Sequence, residues 1–520
     1  MKLKFTALFV FLILILAACS ANKSTGTDEN KKNQERTEEN GKNTKVEEMV
    51  TTNTKTLIGN EFNLVAKKVS HQLNNKVTVE AWTFNGSVPG SQIRVKEGEK
   101  VKINFKNELP EPTSIHWHGI TVPNEMDGIP GVTQNAVQPG ETFTYEFTAS
   151  VPGTYMYHTH QNAVNQLDKG LYGSFIVDPK EKTYDRDYTL MLDEWMSNPD
   201  DSSMSMDDMA GMNNMEKSTK SSDQKNTSNK SMAHSMNNYD IFTMNGKSGD
   251  AIEPLKVKEG EKVRIRLANI GYLSHNIHLH GHTFKVVAID GQELNEPQEI
   301  KNELISIAPG ERYDIEFVAN NPGKWYLECH GNMTDTKGMK TMIQYEGTNE
   351  SKDQSNQEDN LPIFSYTNYG KTKNDHFSLD QKYDVEYTMD LNGNDMDNIW
   401  TINGKSFPNI DGLTVKKGDL VKVKLTNSSS ADHPMHLHGH SFQILSKNGK
   451  ALEGAAIIKD TVNVKPGEEY VVAFEANNPG NWLFHCHDLH HATAGMVDII
   501  KYDGYKANFA PDPNTDNKPE

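Results

Sequence analysis

Residues 465–487 read KPGEEYVVAFEANNPGNWLFHCH, and the same phrase occurs twice earlier in the chain. It stands as QPGETFTYEFTASVPGTYMYHTH at 138–160 and as APGERYDIEFVANNPGKWYLECH at 308–330. Each copy is an alternating run, a Pro-Gly turn, a second run and a terminal cluster of metal-capable side chains. Two further blocks precede each copy in the same order. The first is AWTFNGSVPG (81–90), IFTMNGKSGD (241–250) and IWTINGKSFP (399–408), each broken at an Asn-Gly turn signal. The second is EGEKVKINFKN (97–107), EGEKVRIRLAN (259–269) and KGDLVKVKLTN (417–427). Its period-two alternation predicts strands with one buried and one wet face. Chance explains one matched block, but not three blocks in order in three copies. Short strands between Gly and Pro turns, without comparable helical periodicity, predict an all-β protein with a Greek-key sandwich or barrel in each repeat.

The repeats place domains at 57–180, 181–347 and 376–503, with a connector at 348–375 and a tail at 504–520. Length agrees, since 520 residues suggest about three or four domains. The net charge of −18 leaves no basic face for phosphates, which excludes a nucleic-acid partner. Before the body comes MKLKFTALFVFLILILAACS, with Lys2 and Lys4, an apolar run from Phe5 to Leu16, and Ala17 and Ala18. The run is too short for a comfortable membrane span and reads as a signal peptide over 1–19. Its ending, LAAC, resembles a bacterial lipoprotein box that leaves Cys19 as a lipidated first residue. An ordinary signal peptide with an accidental cysteine is the plainer alternative. The polar stretch 20–56 reads as a disordered tether.

Histidines gather where the copies end. The first repeat carries SIHWHG (114–119) and YHTHQ (157–161), and the second SHNIHLHGH (274–282) and ECHGNM (328–333). The third carries DHPMHLHGH (432–440) and HCHDLHHATAGM (485–496). Side chains at i and i+2 of a strand share a face. His116 with His118, His158 with His160, His436 with His438, and His485 with His487 are therefore four such pairs. Burying that many imidazoles without partners is costly, which points to a metal cluster between two domains. Cys486 then faces the other way. With His433, His491 and Met496 it offers a thiolate, two imidazoles and a thioether, the blue-copper electron-transfer set. Zinc accepts Cys and His, but Met is a poor zinc ligand.

HWHG, HTH, HPMHLHGH and HCHDLHHATAGM together resemble the ligand blocks of three-domain multicopper oxidases of the laccase and bacterial copper-resistance type. The resemblance covers nearly the whole mature body and implies three tandem cupredoxin-like domains. It implies four copper ions. Type 1 copper falls to His433, Cys486, His491 and Met496, and type 2 to His116 and His436. The type 3 pair falls to His118, His158, His160, His438, His485 and His487. It implies that electrons enter at Cys486 and pass to a cluster where O2 becomes water, with Met496 holding the type 1 potential at the lower end for the family. Asp127, in EMDGIPG, matches the family's proton-supplying acid, or is simply a turn residue before Gly128. Ala492 stands where many bacterial relatives carry Glu, and His490 is an extra histidine with no ligand role.

The middle repeat keeps His275, His278, His280, Cys329, His330 and Met339 but has Glu328 for His485 and Thr334 for His491. It reads as a decayed site with a packed cysteine and a spacer role, or as a residual Cu(I) site of His275, Cys329 and Met339. Within it an insert at 202–237 carries Met204, Met206, Met209, Met212, Met215, Met232, His234 and Met236 among Ser, Asp, Asn and Lys. So polar a stretch builds no core, and thioethers are soft ligands that select Cu(I). A surface oxidation sink is the alternative. The sequence thus predicts an exported, lipid-anchored, monomeric oxidase on the outer face of the bacterial cytoplasmic membrane. It would take electrons from Cu(I), and from phenols or other small reductants, and pass them to O2 in copper homeostasis. A copper-storage or chaperone lipoprotein is the rival, and a copper nitrite reductase-like protein a third reading.

Overall fold

The computed structural model describes residues 55–197, 239–330, 338–347, 360–373, 377–394 and 397–519. Cys19 and the methionine-rich insert lie outside the described residues, as does Thr334. Among the described residues six sheets follow one another in three sequence-consecutive pairs. In the first pair, a five-stranded sheet runs Thr56–Ile58, Gly90–Lys96, Tyr172–Asp178, Gly153–His158, His116–His118. A four-stranded sheet runs Thr78–Phe84, Glu61–Gln72, Lys100–Asn107, Thr142–Thr148.

The middle pair repeats the plan. Its five-stranded sheet runs Leu255–Val257, Lys340–Tyr345, Lys324–Cys329, His275–Leu279, Ile305–Ile307. The third does so again with Leu413–Val415, Val497–Tyr502, Asn481–Cys486, His433–Leu437, Thr461–Val464. In each copy a strand near one edge lies parallel to the last strand of its sandwich: Gly90–Lys96 with Tyr172–Asp178, Leu255–Val257 with Lys340–Tyr345, and Leu413–Val415 with Val497–Tyr502. Such crossings between antiparallel neighbours give tandem cupredoxin-like sandwiches.

Alternation makes the cores. Val101, Ile103 and Phe105 of one strand, and Val421, Val423 and Leu425 of its counterpart, are buried while the residues between them are not. The middle counterpart Lys262–Asn269 departs from the predicted wet face: Arg264 and Arg266 are buried as well. The reason is buried ion pairing, with the first sandwich closing over Arg266: Arg264 donates to Glu316 of the neighbouring strand. Arg266 donates to Asp187, Asp314 and Tyr184, and to Thr154 of the first sandwich's Gly153–His158 strand. The C-terminal residues also run back onto the first sandwich. Ala136 N–H donates to Asn517, and Gln161 donates to the Asp516 carbonyl.

Candidate metal centre

Two strand pairs carry the histidines inward. His116–His118 pairs with Gly153–His158, setting His116 opposite His158. His433–Leu437 pairs with Asn481–Cys486, setting His436 opposite His485 and Met435 opposite Cys486. The structure brings together all eight paired histidines predicted from the sequence. Nitrogens of His116, His118 and His436 lie within 4.8 Å of one another, and so do those of His118, His158 and His487 and those of His160, His438 and His485. All are buried.

The ring tautomers follow from backbone acceptors. Nδ1–H donates to the Asp127 carbonyl from His116 (2.9 Å), to Thr159 from His158 (2.8 Å), to Asp460 from His436 (3.0 Å) and to Cys486 from His485 (2.9 Å). That leaves Nε2 of each with a lone pair turned inward. Nε2 of His116, His158 and His436, Nδ1 of His118, and both nitrogens of His160 and His487 are buried without a hydrogen-bond partner. His438 and His485 bring Nε2 atoms to 2.9 Å of each other. Burial first, and repulsion from neighbouring imidazoles second, hold His118, His158, His160, His438 and His487 well below the ordinary imidazole range. They are neutral bases facing one another, an arrangement suited to holding cations.

On the opposite face of the same strand, Cys486 Sγ lies 3.7 Å from Nδ1 of His433 and 3.7 Å from Nδ1 of His491. His433 turns Nε2 to Ser429 Oγ at 2.7 Å, which leaves Nδ1 for the sulfur side. The short helix Leu489–Thr493 carries His491; Asp488 caps it, accepting from His490 and His491 N–H groups. Met496 is fully buried and its carbonyl accepts from Cys486 N–H. Trp400, itself buried, packs on His491 with ring centroids 3.7 Å apart. Burial pushes the Cys486 thiol well above its ordinary range, so binding a cation there must release its proton. His490, given no ligand role from sequence, sets its ring edgewise on Tyr272 of the middle sandwich.

Asp127 is buried between the two halves of the cluster. Its Oδ2 lies 3.0 Å from His438 Nδ1 and its Oδ1 3.3 Å from His116 Nδ1. Gly128 makes this position possible: its φ is +82° and an added Cβ would meet the Ile115 carbonyl oxygen at 1.8 Å. Gly128→Ala should destabilise the fold by about 3 kcal/mol or more, from left-handed strain plus backbone collision. A urea melt within about 1 kcal/mol of the parent would contradict this reading.

Several residues near the cluster carried no signal in the sequence. Asp460 Oδ1 sits 3.2 Å from His118 Nε2 and 3.4 Å from His436 Nδ1. Burial opposes its charge, but Arg312 of the middle sandwich donates to both oxygens and holds the carboxyl well below the usual range. Lys459 pairs with Asp290 and Glu311 in the same buried network. Gly310 is seated so closely that an added Cβ would lie 3.0 Å from His487 and 3.2 Å from His118. The middle sandwich therefore does more than space its neighbours. Its own cysteine cluster is different in kind: Cys329 Sγ is 3.6 Å from His275 Nδ1, while His275 Nε2 is 2.7 Å from Glu194. Burial opposes the charged ring, but the Glu194 carboxylate prevails and pushes His275 up to about 10. A cation at His275 and Cys329 would have to compete with Glu194 for the ring.

The depressed histidines set a pH limit on the metal-free chain. Burial pushes His433 and His440 down to about 4 each, against an ordinary 6.5. As pH falls, the unfolded chain takes up these protons first, so stability is full above 6.5 and lost progressively toward 4. By pH 5 each should cost roughly 2 kcal/mol. Urea midpoints of metal-free protein at pH 7 and pH 5 measure the loss, and equal midpoints would refute it.

Comparison with known proteins agrees with this geometry. One multicopper oxidase family model matches residues 65–182, and a second matches 218–348 and 380–503. The multicopper oxidase MmcO of Mycobacterium tuberculosis is 30% identical over 443 residues, covering 82% of this chain and 83% of its own. Copper resistance protein A of Escherichia coli is 24% identical, covering 86% and 93%. Among solved structures, a multi-copper oxidase from Pseudomonas thermotolerans superposes with a TM-score of 0.63 at 25% identity, over 87% of this chain and all of that one.

Proposed function

The chain belongs to the multicopper oxidase family, and from that premise we propose a copper-dependent oxidase that couples four one-electron oxidations to reduction of O2 to two waters. The observation that carries the proposal is the set of buried, unpartnered imidazole nitrogens facing one another on one side of a strand whose opposite side presents Cys486. Neutral imidazoles with inward lone pairs suit copper, and a Cys-His-His set with a neighbouring Met suits an electron-transfer copper. Four ions are assigned. His433, Cys486, His491 and Met496 would hold type 1 copper, and His116 and His436 type 2. His118, His158 and His487 would hold one member of the type 3 pair, and His160, His438 and His485 the other. When bound, these ions supply the one-electron chemistry by which a reductant is oxidised and O2 is reduced.

The chain's own residues do the rest. Cys486 is bonded through the backbone to His485 and His487, so a single residue step joins the entry cluster to the imidazole cluster. Asp127, touching His438 and His116, stands where protons for the waters are needed. Asp460, kept ionised by Arg312, orients His118 and His436. Trp400, packed on the His491 ring, helps fix its orientation.

As reducing substrates we assign Cu(I), and phenols or other small reductants second. The methionine-rich insert, soft ligands in a polar stretch, supports Cu(I) delivery, and the leader with Cys19 supports export and lipid anchoring in copper homeostasis. Three domains at 57–180, 181–347 and 376–503 acting as a monomer complete the reading. Deleting 202–237 should lower the rate of O2 uptake with Cu(I) more than with a phenol. Equal losses would remove the insert from the account. A storage protein, the rival, requires no fixed arrangement of Cys486 against His433 and His491, and would show copper binding without O2 uptake.

A further inference from the structure

The middle sandwich holds a second histidine cluster that shares no residue with the eight-histidine site. Strand register shows its origin. His278 pairs opposite Glu328 between His275–Leu279 and Lys324–Cys329, as His436 pairs opposite His485 in the third sandwich. His278, His280 and His330 thus stand at the positions of His436, His438 and His487, with a carboxylate in place of the fourth imidazole. In the third sandwich those imidazoles meet histidines of the first. In the middle sandwich they meet one another.

Ligand atoms of His278, His280 and His330 all lie within 4.8 Å of one another. The His280 and His330 Nε2 atoms approach to 3.2 Å, and the His278 and His280 rings lie with centroids 4.1 Å apart. Glu328 Oε1 is 2.8 Å from His280 Nε2 and 3.6 Å from His330 Nε2, and Lys340 takes the other carboxylate oxygen at 2.9 Å. His278 is 2% exposed and neither of its ring nitrogens has a hydrogen-bond partner. A buried imidazole with both nitrogens idle, aimed among two more imidazoles and a carboxylate, is costly as it stands. The His330 side chain is 22% exposed, so the cluster opens to solvent at one corner.

We propose that His278, His280, His330 and Glu328 form a separate site for one divalent cation of borderline softness, the class of Zn2+ and Cu2+. Three imidazoles and one carboxylate match the ligand types and number of a closed tetrahedral site for such an ion. The site lacks thiolate and thioether, so it does not select Cu(I). Bound there, the cation would join the ends of His275–Leu279 and Lys324–Cys329. The inference stands on this cluster alone and does not depend on the oxidase reading.

The test uses full-length, copper-loaded protein, washed with a chelator until copper exchangeable from the solvent-open site is gone while the visible band persists. The protein is then desalted and given one equivalent of Zn2+, which is silent in the visible spectrum. Zinc retained after gel filtration is measured by elemental analysis beside the visible band of the Cys486 cluster. The parent should retain one zinc per chain with its band unchanged. His278→Ala should retain at least about tenfold less, with the same band. Because His278 is buried, partly exposed His330→Ala serves as a second variant whose fold is easier to keep, and it too should lose zinc. Parent protein that retains no zinc, variants that retain as much as the parent, or zinc gained only as the band is lost would each overturn the site.

Discussion

Replacing Cys486 by serine is expected to remove the intense visible absorption of the copper-loaded protein and drop O2 uptake to background. The loss should exceed about a hundredfold, the upper end of what removing a mere outer partner of a metal ligand costs. The substitution is nearly isosteric, and Cys486 is fully buried among residues that need not move. His433 and His491 both present Nδ1 to the sulfur at 3.7 Å, so serine leaves two imidazoles facing a hard, poorly acidic oxygen. His485 and His487 stay on the other face, so copper bound by the histidine cluster should remain. Loss of band and turnover with most copper retained is the expected pattern. A variant that keeps either the band or the turnover would contradict the role given to Cys486.

Asp127→Asn should have the second-largest effect, a fall in turnover of about a hundredfold with copper content and visible band unchanged. Asparagine can still accept from His438 Nδ1 at the 3.0 Å position, so the ring keeps its orientation while the carboxylate's capacity to pass a proton is gone. The two roles separate by pH. If Asp127 supplies protons, the deficit should be deep at pH 7 and shallower at pH 5, where solvent protons substitute. A deficit that is uniform with pH and accompanied by lost copper would make Asp127 only an orienting residue. Ala492 brings no carboxylate of its own to share the task, and Asp488, 3.4 Å from His491 Nε2, is engaged as the cap of the short helix.

The histidine and cysteine clusters were legible in the sequence because scarce, metal-capable residue types recur there at short, fixed spacing. His116 and His118, or His485 and His487, announce one shared strand face without any knowledge of partners. The repeats then supplied the sandwiches, since Val421, Val423 and Leu425 alternate in sequence as they do in burial. What stayed hidden depends on contacts between sandwiches. Arg266 reads as the wet face of an alternating strand, yet it is buried against Thr154. Arg312 and Asp460 stand 148 residues apart, and nothing local links them. Gly310 reads as an ordinary Pro-Gly turn, although its missing side chain is what lets the middle sandwich approach His118 and His487. Glu328 read as the loss of a ligand, and only the register against His278 turns it into a member of another cluster.

The most direct measurement follows O2 concentration and visible absorption together while copper-loaded protein is given Cu(I), and in parallel a phenol. The account predicts a blue-copper band that bleaches on reduction, returns with oxygen, and accompanies the uptake of one O2 for every four electrons delivered. Fully copper-loaded protein with neither the band nor oxygen uptake would contradict it.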